Sequence, residues 1–151
     1  MEQKKEQTRR DPQEKLSTYF RLYEIECRCG CGFSSVDARL LSALDELREL
    51  LGRPVRVTSA CRCKEHNRRL GSDDSSQHVA GRAADIYVYD LTPYALYHKA
   101  VLVPSFAEGG IGIYPQNGFC HVDVRETGRA RWVRKNGVDR PFFSDSTVPR
   151  K

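Results

Sequence analysis

No apolar run in this 151-residue chain approaches the ~18 residues needed to span a bilayer, so no helical membrane span is expected within it. The stretch from Met1 to Lys15 carries charges of both signs and lacks the apolar segment of a secretory signal. Residues 1–15 therefore read as a mobile polar lead-in, and synthesis in the cytoplasm is expected. Internal repeats and low-complexity tracts are also missing. Strands and helices do not alternate in a regular βαβ pattern, which excludes a doubly wound parallel sheet and leaves the α+β class. At this length one domain is expected, over residues 16–145, followed by a short tail, 146–151.

Basic and acidic residues balance over most of the chain. The formal excess of +5 lies in the last stretch, where Arg125, Arg129, Arg131, Arg134, Lys135, Arg140, Arg150 and Lys151 face only Glu126, Asp139 and Asp145. Such an end suits an anionic polymer, nucleic acid or cell wall, and equally a solvated face. Six cysteines stand at 27, 29, 31, 61, 63 and 120. Without an export signal, reduced thiols are the default. The group Cys27, Cys29, Cys31, Cys61 and Cys63 leaves three readings open: free thiols, a structural zinc site, or a disulfide. The Cys-x-Cys spacing is less usual for zinc than Cys-x-x-Cys.

Leu40, Leu41, Leu44, Leu47 and Leu51 recur at helical spacing. Ser34 or Ser35 is the expected cap, Asp37 falls in the first turn, and Gly52 with Pro54 ends the run. Val55–Ser59 alternates as a strand, and Lys64–Leu70 reads as a short helix stopped by Gly71. Thr92-Pro93 opens a helix that runs to Leu102. Gly110–Tyr114 and Phe119–Arg125 flank a turn at Pro115-Gln116-Asn117-Gly118, and Ala130–Val133 adds a third strand. A small antiparallel sheet packed with helices is expected.

The stretch Ser76-Gln77-His78-Val79-Ala80-Gly81-Arg82-Ala83-Ala84-Asp85 runs into the β-rich Ile86–Tyr89. A second histidine stands in Cys120-His121-Val122-Asp123-Val124-Arg125. Alternation puts Phe119, His121, Asp123 and Arg125 on one strand face, and Ala83, Asp85 and Tyr87 share a face of the earlier strand. If these strands are neighbours, Asp85 meets His121, while His78 arrives from a loop that Gly81 allows to reverse. Two imidazoles and one carboxylate suit a zinc ion that keeps a fourth position for water. His66 sits in a polar helix and His98 in an amphipathic one, so neither reads as a ligand. Trp132 reads as core or rim, and Tyr87, Tyr89 and Tyr114 as packing or cleft wall.

Thr58-Ser59-Ala60-Cys61-Arg62, Glu65-His66-Asn67, the Ser76-x-His78-x-x-Gly81-x-Ala83-x-Asp85 string, Gly110-Ile111-Gly112-Ile113-Tyr114 and His121-Val122-Asp123-Val124-Arg125 resemble the zinc D-alanyl-D-alanine carboxypeptidase-like peptidases. Over about Phe20–Val133 the resemblance implies the hedgehog/DD-peptidase fold, with His78, Asp85 and His121 as zinc ligands. It also implies that Arg62 contacts a substrate carboxylate or the polarised carbonyl, with Ser76 on the site wall. Asp123 is the candidate proton acceptor for a metal-activated water, or else the group that orients a ligand imidazole.

Two departures stand out. Relatives often carry Ser-Gly-Tyr-Arg where this chain has Ser59-Ala60-Cys61-Arg62. Several also place an acid or histidine just upstream of the last ligand histidine, whereas Pro115–Cys120 holds neither and Glu108 is the nearest acid.

The expectation is a zinc peptidase, acting as monomer on peptidoglycan stem peptides by D,D-carboxypeptidase or endopeptidase cleavage. It would reach the wall by release from the cytoplasm, as a phage or prophage lysin does. A zinc-bearing wall-binding module without turnover is the alternative, and a zinc-stabilised nucleic-acid-binding protein is the less expected one.

Overall fold

A computed structural model describes residues 10–142. Residues 1–9 of the expected lead-in, the domain limit at 145 and the tail at 146–151 lie outside the described residues. Residues 10–15 are tied down: the Glu14 carbonyl accepts the Leu22 N–H at 2.8 Å, and Lys15 bridges to Arg21.

Along the chain run α1 (Leu22–Ile25), α2 (Ala38–Leu51), β1 (Arg56–Ser59), α3 (Lys64–Arg69), β2 (Ala83–Tyr87), α4 (Pro93–Ala100), α5 (Pro104–Ala107), β3 (Gly110–Tyr114), β4 (Phe119–Asp123), β5 (Ala130–Lys135) and β6 (Val138–Pro141). The class is α+β. The six strands form one sheet in the order β1-β2-β4-β3-β5-β6.

The sheet is mixed, not antiparallel throughout as expected. β5 runs parallel to β3, with Gly110 opposite Ala130 and Ile113 opposite Val133. The cause lies in the connection. Residues 124–129 carry the chain from the end of β4 past the start of β3, so β5 begins where β3 begins.

Local chemistry accounts for most boundaries. Asp37, not Ser34 or Ser35, caps α2: its carboxylate accepts the Arg39 N–H at 2.8 Å, while its own N–H donates to the Gly81 carbonyl at 2.9 Å. Gly52 ends that helix in the left-handed region, at φ 68°. Thr92 caps α4 through the Ala95 N–H, with Pro93 in the first position. β6 was not expected, although Asn136-Gly137 stands between it and β5. Both residues have positive φ, 52° and 77°, as a two-residue turn of the I′ kind requires.

One face of the sheet carries the core. Ala84 and Ile86 of β2, Ile111 and Ile113 of β3 and Cys120 and Val122 of β4 are buried against Leu40, Leu44 and Leu47 of α2, Leu96 and Tyr97 of α4 and Phe106 of α5. The opposite face of the same strands carries Asp85, His121 and Asp123. In β3 the side turned that way holds Gly110, Gly112 and Tyr114. A side chain at Gly110 would strike the Asp123 carboxylate and the Arg125 guanidinium, and one at Gly112 would enter the Trp132 indole. The Gly-Ile-Gly-Ile alternation thus fills the core on one side and leaves space on the other for the Asp123, Arg125 and Trp132 side chains.

Candidate metal centre

β2 and β4 are direct neighbours, and Asp85 stands opposite His121 in their register. His78 comes from the loop before β2. Gly81 makes that approach possible, since its φ is 73° and a Cβ there would collide with the Ser35 carbonyl. The outcome is a buried trio. His78 Nε2 lies 3.2 Å from Asp85 Oδ1, and His121 Nδ1 lies 3.3 Å from the same oxygen. The two rings meet edge to face, with centroids 5.2 Å apart. Candidate ligand atoms of the three residues all lie within 4.8 Å of one another.

The remaining ring nitrogens are moored. His78 Nδ1 donates to the Ala60 carbonyl at 2.7 Å, and His121 Nε2 donates to Asp123 Oδ2 at 2.7 Å. When the rings are neutral, these bonds select the tautomers in which His78 Nε2 and His121 Nδ1 turn a lone pair toward Asp85. Fixing one nitrogen by a carbonyl or carboxylate while the other faces an ion is the usual arrangement of metal-binding histidines. The spacing agrees. Zinc bonds to nitrogen and oxygen of about 2.05 Å give a tetrahedron edge of about 3.3 Å. The donor set therefore fits zinc.

In the metal-free protein the neighbouring groups also set the charge on the trio. Burial alone would raise the pKa of Asp85, but hydrogen bonds from His121 and His78 outweigh it and hold the carboxyl well below its usual range. Burial lowers the pKa of His78, opposed in part by Asp85. On His121 burial also acts downward, yet bonds to Asp123 and Asp85 prevail and push the ring up to about 9.

Asp123 is fully buried and saturated. Its Oδ1 accepts the Gly110 N–H at 2.8 Å, the Arg125 Nε–H at 2.9 Å and the Arg125 backbone N–H at 3.1 Å. Its Oδ2 accepts Arg125 Nη2 at 2.7 Å besides His121. It lines no part of the open cleft described next.

That cleft, of about 380 Å³, opens above the trio. Ser76, Arg62 and Tyr114 line it with Phe119, Trp132 and Arg134. Arg62 donates to Ser59 Oγ (3.2 Å), Asn67 Oδ1 (3.0 Å) and Asp85 Oδ2 (3.4 Å). A guanidinium has five N–H groups, so two remain for the cleft. Trp132 is a rim residue that lies 5.1 Å from the His121 ring and donates to the Tyr114 hydroxyl at 3.1 Å. Gln77 and Arg134 were not singled out from the sequence. Gln77 buries a side-chain oxygen with no protein partner among the described residues, and neither residue type carries a pattern that marks a cleft wall. His66 and His98 stand outside the trio.

A second cluster brings together Cys27, Cys29, Cys31 and Cys63. Cys61 is not part of it. Its thiol is buried, faces the Ser35 carbonyl at 3.4 Å, and burial pushes its pKa up to about 12.

Two moored imidazoles sharing a carboxylate, open on one side to a polar cleft, are what a metal-dependent hydrolase needs. The comparison with known proteins narrows that class. Residues 18–123 match the family described as peptidase M15, and the chain belongs to that family. It is similar to the peptidoglycan L,D-endopeptidase MepK of Escherichia coli strain K12, at 33% identity over 124 residues, covering 78% of this chain. The MepK of Shigella flexneri matches to the same extent. The chain spans 62% of the length of these curated relatives. No helix among the described residues is long and apolar enough to cross a membrane.

Proposed function

We propose that the cleft is the active site of a zinc peptidase that cleaves peptidoglycan stem peptides. The observation that carries this reading is the convergence of His78 Nε2, His121 Nδ1 and Asp85 Oδ1 beneath an open cleft in an M15 chain. These three groups would hold the ion. When bound, zinc supplies a water of lowered pKa and polarises a carbonyl.

The other residues have separate tasks in this reading. Asp123 is a positioning residue: fully engaged by Arg125 and the Gly110 N–H, it keeps the His121 Nε2 protonated and the ring oriented. Arg62, already braced by Ser59 and Asn67, offers its two spare N–H groups to a substrate carboxylate or to the oxygen that gains charge. Ser76 forms the wall beside it.

The similarity to MepK, an L,D-endopeptidase, favours that activity over a D,D-carboxypeptidase. Digestion of purified peptidoglycan by the zinc-loaded protein, read by mass spectrometry, tests this choice. Fragments from L,D bonds are expected, and they should disappear with His78→Ala or Asp85→Ala. Arg62→Lys should keep zinc but lose about 10²-fold in turnover, since its flat fork is gone.

A wall-binding module without turnover is the second reading. It is favoured by the engagement of both carboxylates near the trio, Asp85 and Asp123, which leaves neither free to take a proton. Retention on sacculi with zinc bound and no fragments released would select it.

A further inference from the structure

We propose that Cys27, Cys29, Cys31 and Cys63 form a second metal site, a structural tetrathiolate that takes zinc. The four sulfurs gather within 4.8 Å of one another. Cys27 Sγ lies 3.5 Å from Cys29 Sγ, which lies 3.7 Å from Cys63 Sγ. Zinc–sulfur bonds of about 2.3 Å give a tetrahedron edge of about 3.8 Å, close to both distances. A disulfide would need about 2.04 Å, and the four thiols gather as a set with no pair drawn apart from it.

The backbone is shaped for thiolates. Cys31 Sγ accepts the Phe33 N–H, Cys27 Sγ the Cys63 N–H and Cys63 Sγ the His66 N–H, each at 3.4 Å. Such donors stabilise negative charge on sulfur. Gly30 and Gly32, at φ 87° and 90°, turn the chain so that three alternate residues face one point. That answers the objection from the Cys-x-Cys spacing.

Arg28, between two of the cysteines, fixes the loop from outside. Its guanidinium donates to the carbonyls of Tyr23, Glu24 and Glu26 near α1 and of Val57 and Thr58 in β1. The ion clips this loop to the start of α3, where Cys63 is the cap. Arg62 is the residue immediately before Cys63, so the clip also holds one wall of the cleft. The thiolate site requires nothing of the histidine site, and the two are separable.

The test is metal analysis of the full chain purified under reducing conditions. Two zinc ions per chain are expected, and one in His78→Ala/His121→Ala. X-ray absorption of that variant should show a shell of sulfurs at about 2.3 Å. Cobalt loading should give the intense thiolate-to-metal absorption that a His2Asp site cannot produce. Cys29→Ser or Cys31→Ser, at exposed thiols, should abolish that band and leave one ion at the histidines.

Absence of metal from the folded histidine variant would overturn the proposal, as would a shell of nitrogen and oxygen alone. So would a disulfide among the four sulfurs. Should the histidine variant not fold, the cobalt spectrum of the unaltered chain decides, through the presence or loss of the same band. One zinc in the unaltered chain, bound by sulfur alone, would uphold the cysteine site and sink the reading of the cleft.

Discussion

Asp123 shows how a sequence can name a residue and leave its task open. Its position two after His121 puts it on the ligand face, and that much follows from strand alternation. Its role depends on Arg125 and the Gly110 N–H, which close around it only in the folded sheet. Asp123→Asn removes the charge that fixes the His121 tautomer and strips Arg125 of its partner. Zinc affinity should fall about 10–100-fold, read by competition with a chromophoric chelator. His121 carries a proton up to about pH 9 without metal, and an ion at Nδ1 must displace it. Affinity at this site should therefore rise with pH through neutrality, by up to about tenfold per unit, and level off near 9. In the metal-free protein the sign is opposite. The raised pKa contributes stability in full below about 6.5, and that stability is lost as pH climbs through about 9.

Elements with a local cause were legible in advance, and those built on distant partners were not. The leucine period of α2, the Thr92-Pro93 start of α4 and the β3–β4 hairpin stand close to where the pattern puts them. The cap of α2 moved to Asp37 because the Gly81 carbonyl, far along the chain, takes its N–H. The parallel pairing of β5 could not be read from alternation, which does not distinguish strand directions. Asp37→Ala should cost about 1 kcal/mol in denaturant unfolding. The Arg39 hydrogen bond holds Asp37 at about 2, so its contribution is present above about pH 4 and fades as pH falls toward 2. Gly112→Ala drives a methyl into the Trp132 indole, and a loss of about 1–3 kcal/mol is expected with altered tryptophan fluorescence.

For the molecule as a whole, the helices pack on one sheet face and the chemistry sits on the other. The trio was legible because its members lie in two short strings, and their meeting needed only that β2 and β4 pair. The cysteine set was visible as a group, but its membership was not. Cys61 drops out because its thiol faces the Ser35 carbonyl. The basic excess of the last stretch is partly engaged inside the fold, since Arg125 pairs with the buried Asp123 and Arg131 donates to backbone carbonyls. Ion binding should raise the thermal midpoint, since zinc at 100 times its dissociation constant adds about 2.7 kcal/mol per site. Scanning calorimetry with and without chelator measures this.

The anchoring of both site rings by their far nitrogens has a kinetic consequence. An arriving cation finds its three donors already aimed, and no loop must reorganise before capture. Uptake into the emptied trio should then follow a single second-order phase in stopped-flow mixing, with one proton released to the buffer.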